Sequence, residues 1–267
     1  KKFFKSEITK KRMLKRGQKG QIALFIIVAV VILAIVLFLV FIRPRMKAVA
    51  KFEPKSYITE CIGQPLKSIV ETIAKQGGNF NLGHCIFYNG SCRHYLCYIN
   101  QNYLPCINQQ PLLKQHIEQE IYKQLENQSI IENCLKNLEQ IAKKQGFSPA
   151  LCDKAEFTVE ILPEKVEIRV DCPSGFTKGE TIITIPEFKA SLEWPLYEFI
   201  LLAKQIIDKE IRTGDFDPLA YMLAHPETEV IKFRTSDGSK IYLLRKRNTK
   251  KEFGFAVRNF VLPPGVL

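Results

Sequence analysis

Apolar and polar positions follow three different rhythms along this chain. Ile22 to Ile42 is an unbroken apolar run with no charge and no hydrogen-bonding side chain. At about 1.5 Å of rise per residue the run is roughly 30 Å long, the thickness of a bilayer core, and it predicts a membrane-spanning helix. From Ser56 to Gln76 the rhythm becomes helical, with Ile58, Ile62, Ile69, Val70 and Ile73 on one face. Gly77-Gly78 ends that stretch, and Pro65 marks a kink or a fresh helix start. A second helical stretch runs from Pro111 to Lys144, carried by Leu113, Ile117, Ile121, Leu125, Ile131, Leu135, Leu138 and Ile141, with Asn127-Gln128 as an interruption. Each stretch has one face to bury, so the two are expected to pack together.

After Gly146 the rhythm shortens to alternation. Ala155 to Leu162 and Lys165 to Asp171 flank Pro163-Glu164 and predict a β-hairpin. Thr181 to Ile185 and Phe188 to Leu192 continue the strand character around Pro186. Pro195 opens a helix over Leu196 to Ile211, a position that suits proline. Val230 to Arg234 and Lys240 to Leu244 flank Asp237-Gly238, a hairpin signal, and Phe253 to Val261 adds a last strand. The expected fold is α+β. A single N-terminal transmembrane helix leads into a disulfide-stapled exported region with a helical proximal part and a strand-rich distal part. The expected boundaries are a basic cytoplasmic tail at 1–21, the span at 22–42 and a juxtamembrane linker at 43–54. A helical cysteine-rich region at 55–150 and an α+β distal region at 151–267 complete the chain.

Charge gives the run a direction. Nine basic residues, Lys1 to Lys19, precede it against Glu7 alone, while Arg43, Arg45, Lys47 and Lys51 follow it. The positive-inside rule places the tail in the cytoplasm and the long C-terminal part outside. Of the formal net charge of +12, the tail supplies eight. The remaining +4 is ordinary for the rest of the chain and argues against a nucleic-acid partner. The tail's expected partner is the anionic inner leaflet of a membrane. The run is too long for a cleaved signal peptide and ends in Arg43-Pro44-Arg45, so an uncleaved signal-anchor is expected.

Lys15 to Phe25 reads KRGQKGQIALF: basic residues, glycine and glutamine, then the apolar run. This resembles the leader of archaeal type IV pilin-like proteins and the start of single-span envelope proteins of archaea with small genomes. The resemblance covers about thirty residues. It implies cleavage after Gly20, leaving Gln21 as the new N-terminus, or after Gly17, and a helix that packs into an assembly. Where the pilin family carries a glutamate at the fifth mature position, this chain has Phe25 counted from Gln21.

Cys61, Cys85, Cys92, Cys97, Cys106, Cys134, Cys152 and Cys172 all follow the apolar run. An even set on the side expected to be outside reads as a disulfide framework. Eight cysteines allow 105 pairings and spacing does not choose among them. Single cysteines on two expected helices favour a Cys61–Cys134 staple, and Cys85, Cys92, Cys97 and Cys106 are expected to pair among themselves. The rival reading is zinc, since His84 and His94 lie among those four. Only Cys92-x4-Cys97 approaches a ligand pair and no second close pair completes a site, so no metal is expected. Cys92 and Cys97 also lack the CxxC spacing of thiol oxidoreductases.

No HExxH, GxSxG, phosphate-loop or dinucleotide pattern is present, and no cofactor is expected. His116 beside Glu118 and Glu120 reads as a solvated helix face. Asp215, Asp217, His225, Glu227 and Glu229 form an acidic stretch without a coordination pattern. Arg245, Lys246, Arg247, Lys250 and Lys251 form a basic patch suited to an anionic polymer or headgroup, or to a plain solvated rim. Asn89-Gly90-Ser91 and Asn127-Gln128-Ser129 are glycosylation sequons. The expectation from sequence is a non-enzymatic structural component of the cell envelope, held by one span and self-associating or bound to other envelope proteins. A receptor or adhesion module, and an accessory subunit of a membrane secretion or transport complex, are the alternatives.

Overall fold

A computed structural model describes residues 26–38 and 52–260. The first described element, α1 (26–38), is wholly apolar and its side chains are exposed. It belongs to a unit of its own, Lys1–Lys51, separate from Phe52–Leu267. Among the described residues no helix is long and apolar enough to cross a membrane. This finding corrects the expected single-pass anchor. The readings that rested on it are corrected with it: the signal-anchor topology, the membrane as location and partner, and the anchored, laterally associating envelope, adhesion or transport role. The pilin-like resemblance also required a long apolar helix, and is corrected on the same ground. Its cleavage flank, Gly20 and Gln21, lies outside the described residues.

In the second unit α2 (Pro54–Lys75) is the central helix. Ile58, Ile62, Leu66, Ile69, Val70 and Ile73 recur on one face and are all buried. Pro54 sits in its first turn, where its missing N–H costs nothing. Pro65 lies inside the helix, which continues through it. Next come β1 (Cys85–Tyr88), β2 (Ser91–Tyr98), β3 (Ile107–Asn108), α3 (Leu113–Asn127) and α4 (Ile130–Lys144). The break between α3 and α4 falls at Gln128-Ser129, and Ser129 turns left-handed at φ +49°. Then follow β4 (Ser148–Ala150), β5 (Glu156–Ile161), β6 (Lys165–Asp171), β7 (Ser174–Lys178), β8 (Thr181–Ile185) and β9 (Phe188–Glu193). The chain closes with α5 (Leu196–Thr213), α6 (Pro218–Ala224), β10 (Thr228–Arg234), β11 (Ser239–Lys246) and β12 (Glu252–Arg258).

Three sheets surround the helices. The largest runs β1-β2-β12-β11-β10, with β3 on β2; the others are β5-β6-β9 and β4-β7-β8. β2 lies parallel to β12, pairing Tyr95 with Ala256. Residues 91–98, from the stretch expected to be helical and loop-like, are thus an interior strand of the C-terminal sheet. This corrects the expected split into a helical proximal and a strand-rich distal part. The fold is a disulfide-stapled α+β domain in which the two parts share one hydrophobic core.

Packing explains why β2 evades a periodicity reading. Cys92 through Cys97 are all buried, so no polar face alternates. Arg93, 3% exposed, pairs with Glu252 at 2.8 Å and donates to the Lys75 carbonyl. Gly254 on β12 leaves room for that guanidinium, which a Cβ there would strike. Removing one member of a buried pair of this kind costs several kcal/mol, about 3–5.

Four disulfides cross-link the unit, and among the described residues no cysteine is free. Cys61 on α2 joins Cys134 on α4, Cys85 joins Cys92 across the first hairpin, Cys97 joins Cys106, and Cys152 joins Cys172. The Cys61–Cys134 bridge closes a separation of 73 residues, which restrains the unfolded chain by about 4 kcal/mol in the chain-entropy picture.

Candidate binding cleft

Three connections meet at one end of the domain. The β5–β6 turn places Pro163 and Glu164 there, because Ile161 and Val166 are the last paired residues of that hairpin. The β9–α5 junction brings Glu193, Trp194 and Pro195, and the Trp194 backbone N–H donates to the Glu164 carbonyl at 2.9 Å. The β11–β12 turn, residues 246–251, is the third; its last ladder pair is Arg245 opposite Glu252. Lys251 Nζ reaches the Glu193 carbonyl at 2.8 Å, and Lys246 Nζ reaches the Glu198 carboxylate at 3.1 Å. Between these connections lies an open cleft of about 660 Å³, lined by Glu164, Lys165, Glu193, Glu198, Lys246 and Lys251 among others. A second hollow of about 600 Å³ adjoins it on the outer side of the same turn and shares Lys246 and Thr249.

The turn itself is tightly built. Arg247 donates its N–H to Glu227 O at 2.9 Å, and Asn248 adopts φ +64°. The Thr249 hydroxyl donates to Lys246 O at 2.9 Å and accepts from Lys251 N at 3.3 Å. Arg245 is held by Glu252 at 2.7 Å. Of the five cations in this stretch, Arg245 and Lys246 have acid partners and Lys251 has a carbonyl. Arg247 and Lys250 are exposed and make no ion pair among the described residues. A pinned backbone therefore presents two uncommitted cations at the hollow that adjoins the cleft.

A second charged cluster lies at the C-terminal end of α5 and is closed. Glu210 has no exposed surface; its Oε2 accepts from Lys240 Nζ at 2.7 Å and its Oε1 from the Tyr242 hydroxyl. Lys240 also meets Asp215 at 3.1 Å and the Gly214 carbonyl, and Asn259 donates to Glu210 O. Asp215 further holds Lys232 and Arg234. Burial pushes the Asp215 carboxyl up, but Lys232 and Lys240 outweigh it and the group stays below the usual range. Burial first, then Glu210, drives the Tyr242 hydroxyl far upward, so it stays protonated and donates to Glu210. The acidic stretch read from sequence is dispersed: Asp215 sits in this cluster, Asp217 caps α6 through Leu219 N and Ala220 N, His225 stacks on Tyr221, and Glu229 lies 3.9 Å from Arg245.

Three histidines gather around the loop after α2, a meeting the sequence reading did not anticipate. His116 Nε2 bonds Asn79 Oδ1 at 2.9 Å, Glu120 accepts from Phe80 N at 3.4 Å, and His94 Nε2 bonds Asn81 O at 3.0 Å. His84 packs edge-on against Tyr98. Burial lowers the pKa of both His94 and His116. Among the described residues no group of three or more His, Cys, Asp or Glu is placed to hold a metal ion.

The sequence singled out the cations of the β11–β12 turn but missed the rest of the cleft wall. Glu164 belongs to the β5–β6 turn and Glu193 and Glu198 to the β9–α5 junction, and only the two hairpins and the start of α5, folded together, make them neighbours. Of the sequons, Asn89 occupies a hairpin turn and Asn127 is the last residue of α3. Comparison with protein-family models, with curated proteins and with solved structures finds no match to this chain.

Proposed function

We propose that residues 52–260 form a non-catalytic binding module that takes an acidic ligand, one carrying two or more spaced carboxylate, sulfate or phosphate groups, at the β11–β12 turn and its cleft. The observation that carries this reading is that Arg247 and Lys250, exposed and without acid partners among the described residues, stand on a backbone pinned through Lys246, Lys251 and Arg245. A fixed turn presents its charges at little further cost in conformational entropy on binding. Lys246 and Glu198 are half-exposed and paired, so an incoming anion can replace Glu198 on the lysine at small cost. The four disulfides add that the module suits an oxidising environment. No group in the cleft is arranged as nucleophile and base, and the role proposed is recognition.

The test is binding of the full chain to heparin, polyglutamate and polygalacturonate, with dextran and polylysine as controls, at low and high salt. The reading expects saturable binding to at least one polyanion that weakens with salt, and none to the controls. Equal binding to dextran, or binding indifferent to Arg247→Ala with Lys250→Ala, overturns it.

A further inference from the structure

We propose that Asn89 is an N-glycosylation acceptor. Asn89-Gly90 forms the two-residue turn between β1 and β2, where Tyr88 pairs with Ser91. Both turn residues have positive φ, +49° at Asn89 and +73° at Gly90, the requirement of a type I′ hairpin and the reason asparagine and glycine stand there. This geometry turns Asn89 outward. Its side chain is exposed and, among the described residues, neither it nor the Ser91 hydroxyl makes a hydrogen bond, and nothing lies within 4 Å of the space beside Gly90. Asn-x-Ser is the acceptor pattern, and it stands here on a surface turn.

Two further observations support the site. The Cys85–Cys92 disulfide spans this same hairpin, so the segment matures under conditions that form disulfides, as secreted N-glycosylated segments do. β1 ends its sheet and pairs with β2 alone among the described strands, and its Phe87 is 68% exposed. An unprotected edge carrying a large apolar side chain is a surface that proteins cover. Asn127 differs: it is helical, as the last residue of α3.

The donor is a lipid diphosphate-linked oligosaccharide. The Asn89 amide nitrogen attacks the anomeric carbon, a C–N bond forms, and the bond from that carbon to the diphosphate oxygen breaks. The lipid diphosphate leaves and the amide gives up one proton to the transferase, with no change of oxidation state.

The experiment is intact-mass and peptide analysis of the full chain purified from its own cells, before and after chemical deglycosylation. The expected result is a glycan mass on the peptide holding Asn89. That mass is lost in Asn89→Gln and in Ser91→Ala, and kept in Asn127→Gln. Ser91→Ala leaves the Asn-Gly turn intact and separates loss of acceptor function from misfolding. An unmodified Asn89 peptide, or a glycan mass that survives Asn89→Gln, overturns the proposal.

Discussion

At the C-terminal end of α5, Glu210 has no exposed surface and is shared by Lys240 and Tyr242, while at the β11–β12 turn Arg247 and Lys250 stand in solvent with no acid partner among the described residues. β11 contributes to both places: Lys240 and Tyr242 near its start, Lys246 at its end. The inward charges are all partnered, Lys240 bridging Glu210 and Asp215, and are locked by carbonyls of Gly214 and Phe216. The outward ones are held by the backbone but left without countercharge. Charge in the first place specifies how α5 meets the sheet. Charge in the second is available to a ligand. The number of charges separates the two sites less than their desolvation does, because a buried ion without its partner is expensive and an exposed one is nearly free.

The largest effect should come from breaking the buried cluster. Glu210→Ala leaves Lys240 at 7% exposure without its nearest carboxylate and Tyr242 without its acceptor. The expected loss is about 3–5 kcal/mol in denaturant unfolding. Replacing Glu210 and Lys240 together by methionine should cost clearly less than the sum of the single changes, since no unpaired charge is left behind. An additive double variant would show that the pair is not coupled.

The histidine loop should respond in the middle range. Burial holds His94 and His116 below their ordinary value of 6.5 in the folded chain. Between 6.5 and the lowered folded values the unfolded chain binds more protons, so stability falls as pH drops through that window. The contribution is fully present above about 6.5, the unfolded value, and is lost as pH falls through the folded values. Urea midpoints measured from neutral pH toward the carboxylate range should show this decline. A variant with His94→Gln and His116→Gln should flatten it. An unchanged slope in that variant would assign the decline elsewhere.

The smallest effect on stability belongs to the exposed turn. Arg247→Ala with Lys250→Ala should shift stability by no more than about 0.5 kcal/mol, because both side chains are exposed and neither makes an ion pair among the described residues. A larger loss would mean that these residues are structural and would weaken the contrast with Glu210.

Much of the fold was legible where burial is one-sided. α5, the β5–β6 hairpin and the β10–β11 hairpin around Asp237-Gly238 follow from periodicity and turn residues, because each has a dry face and a wet one. β2 was not legible, since Arg93 and His94 interrupt its apolar run and the Glu252 that neutralises Arg93 lies 159 positions away. Its turn did carry a signal: Asn89-Gly90 is a strong hairpin dipeptide, and reading it would have placed β1 and β2. α6 presents no buried residue and so gave no amphipathic pattern. The long apolar run misled in the opposite way. Composition alone implied a span, whereas among the described residues no helix is long and apolar enough to cross a membrane. For the cleft, its basic turn was visible as a charge run, but the carboxylates opposite it come from two other connections and had no shared spacing to read.

The most direct test of the account compares polyanion binding by the native chain and by the Arg247→Ala, Lys250→Ala double variant, with unfolding measured on the same samples. The account predicts salt-sensitive binding by the native chain, at least a tenfold loss in the variant, and unfolding midpoints that agree. A double variant that binds as well as the native chain, with the same stability, would contradict it.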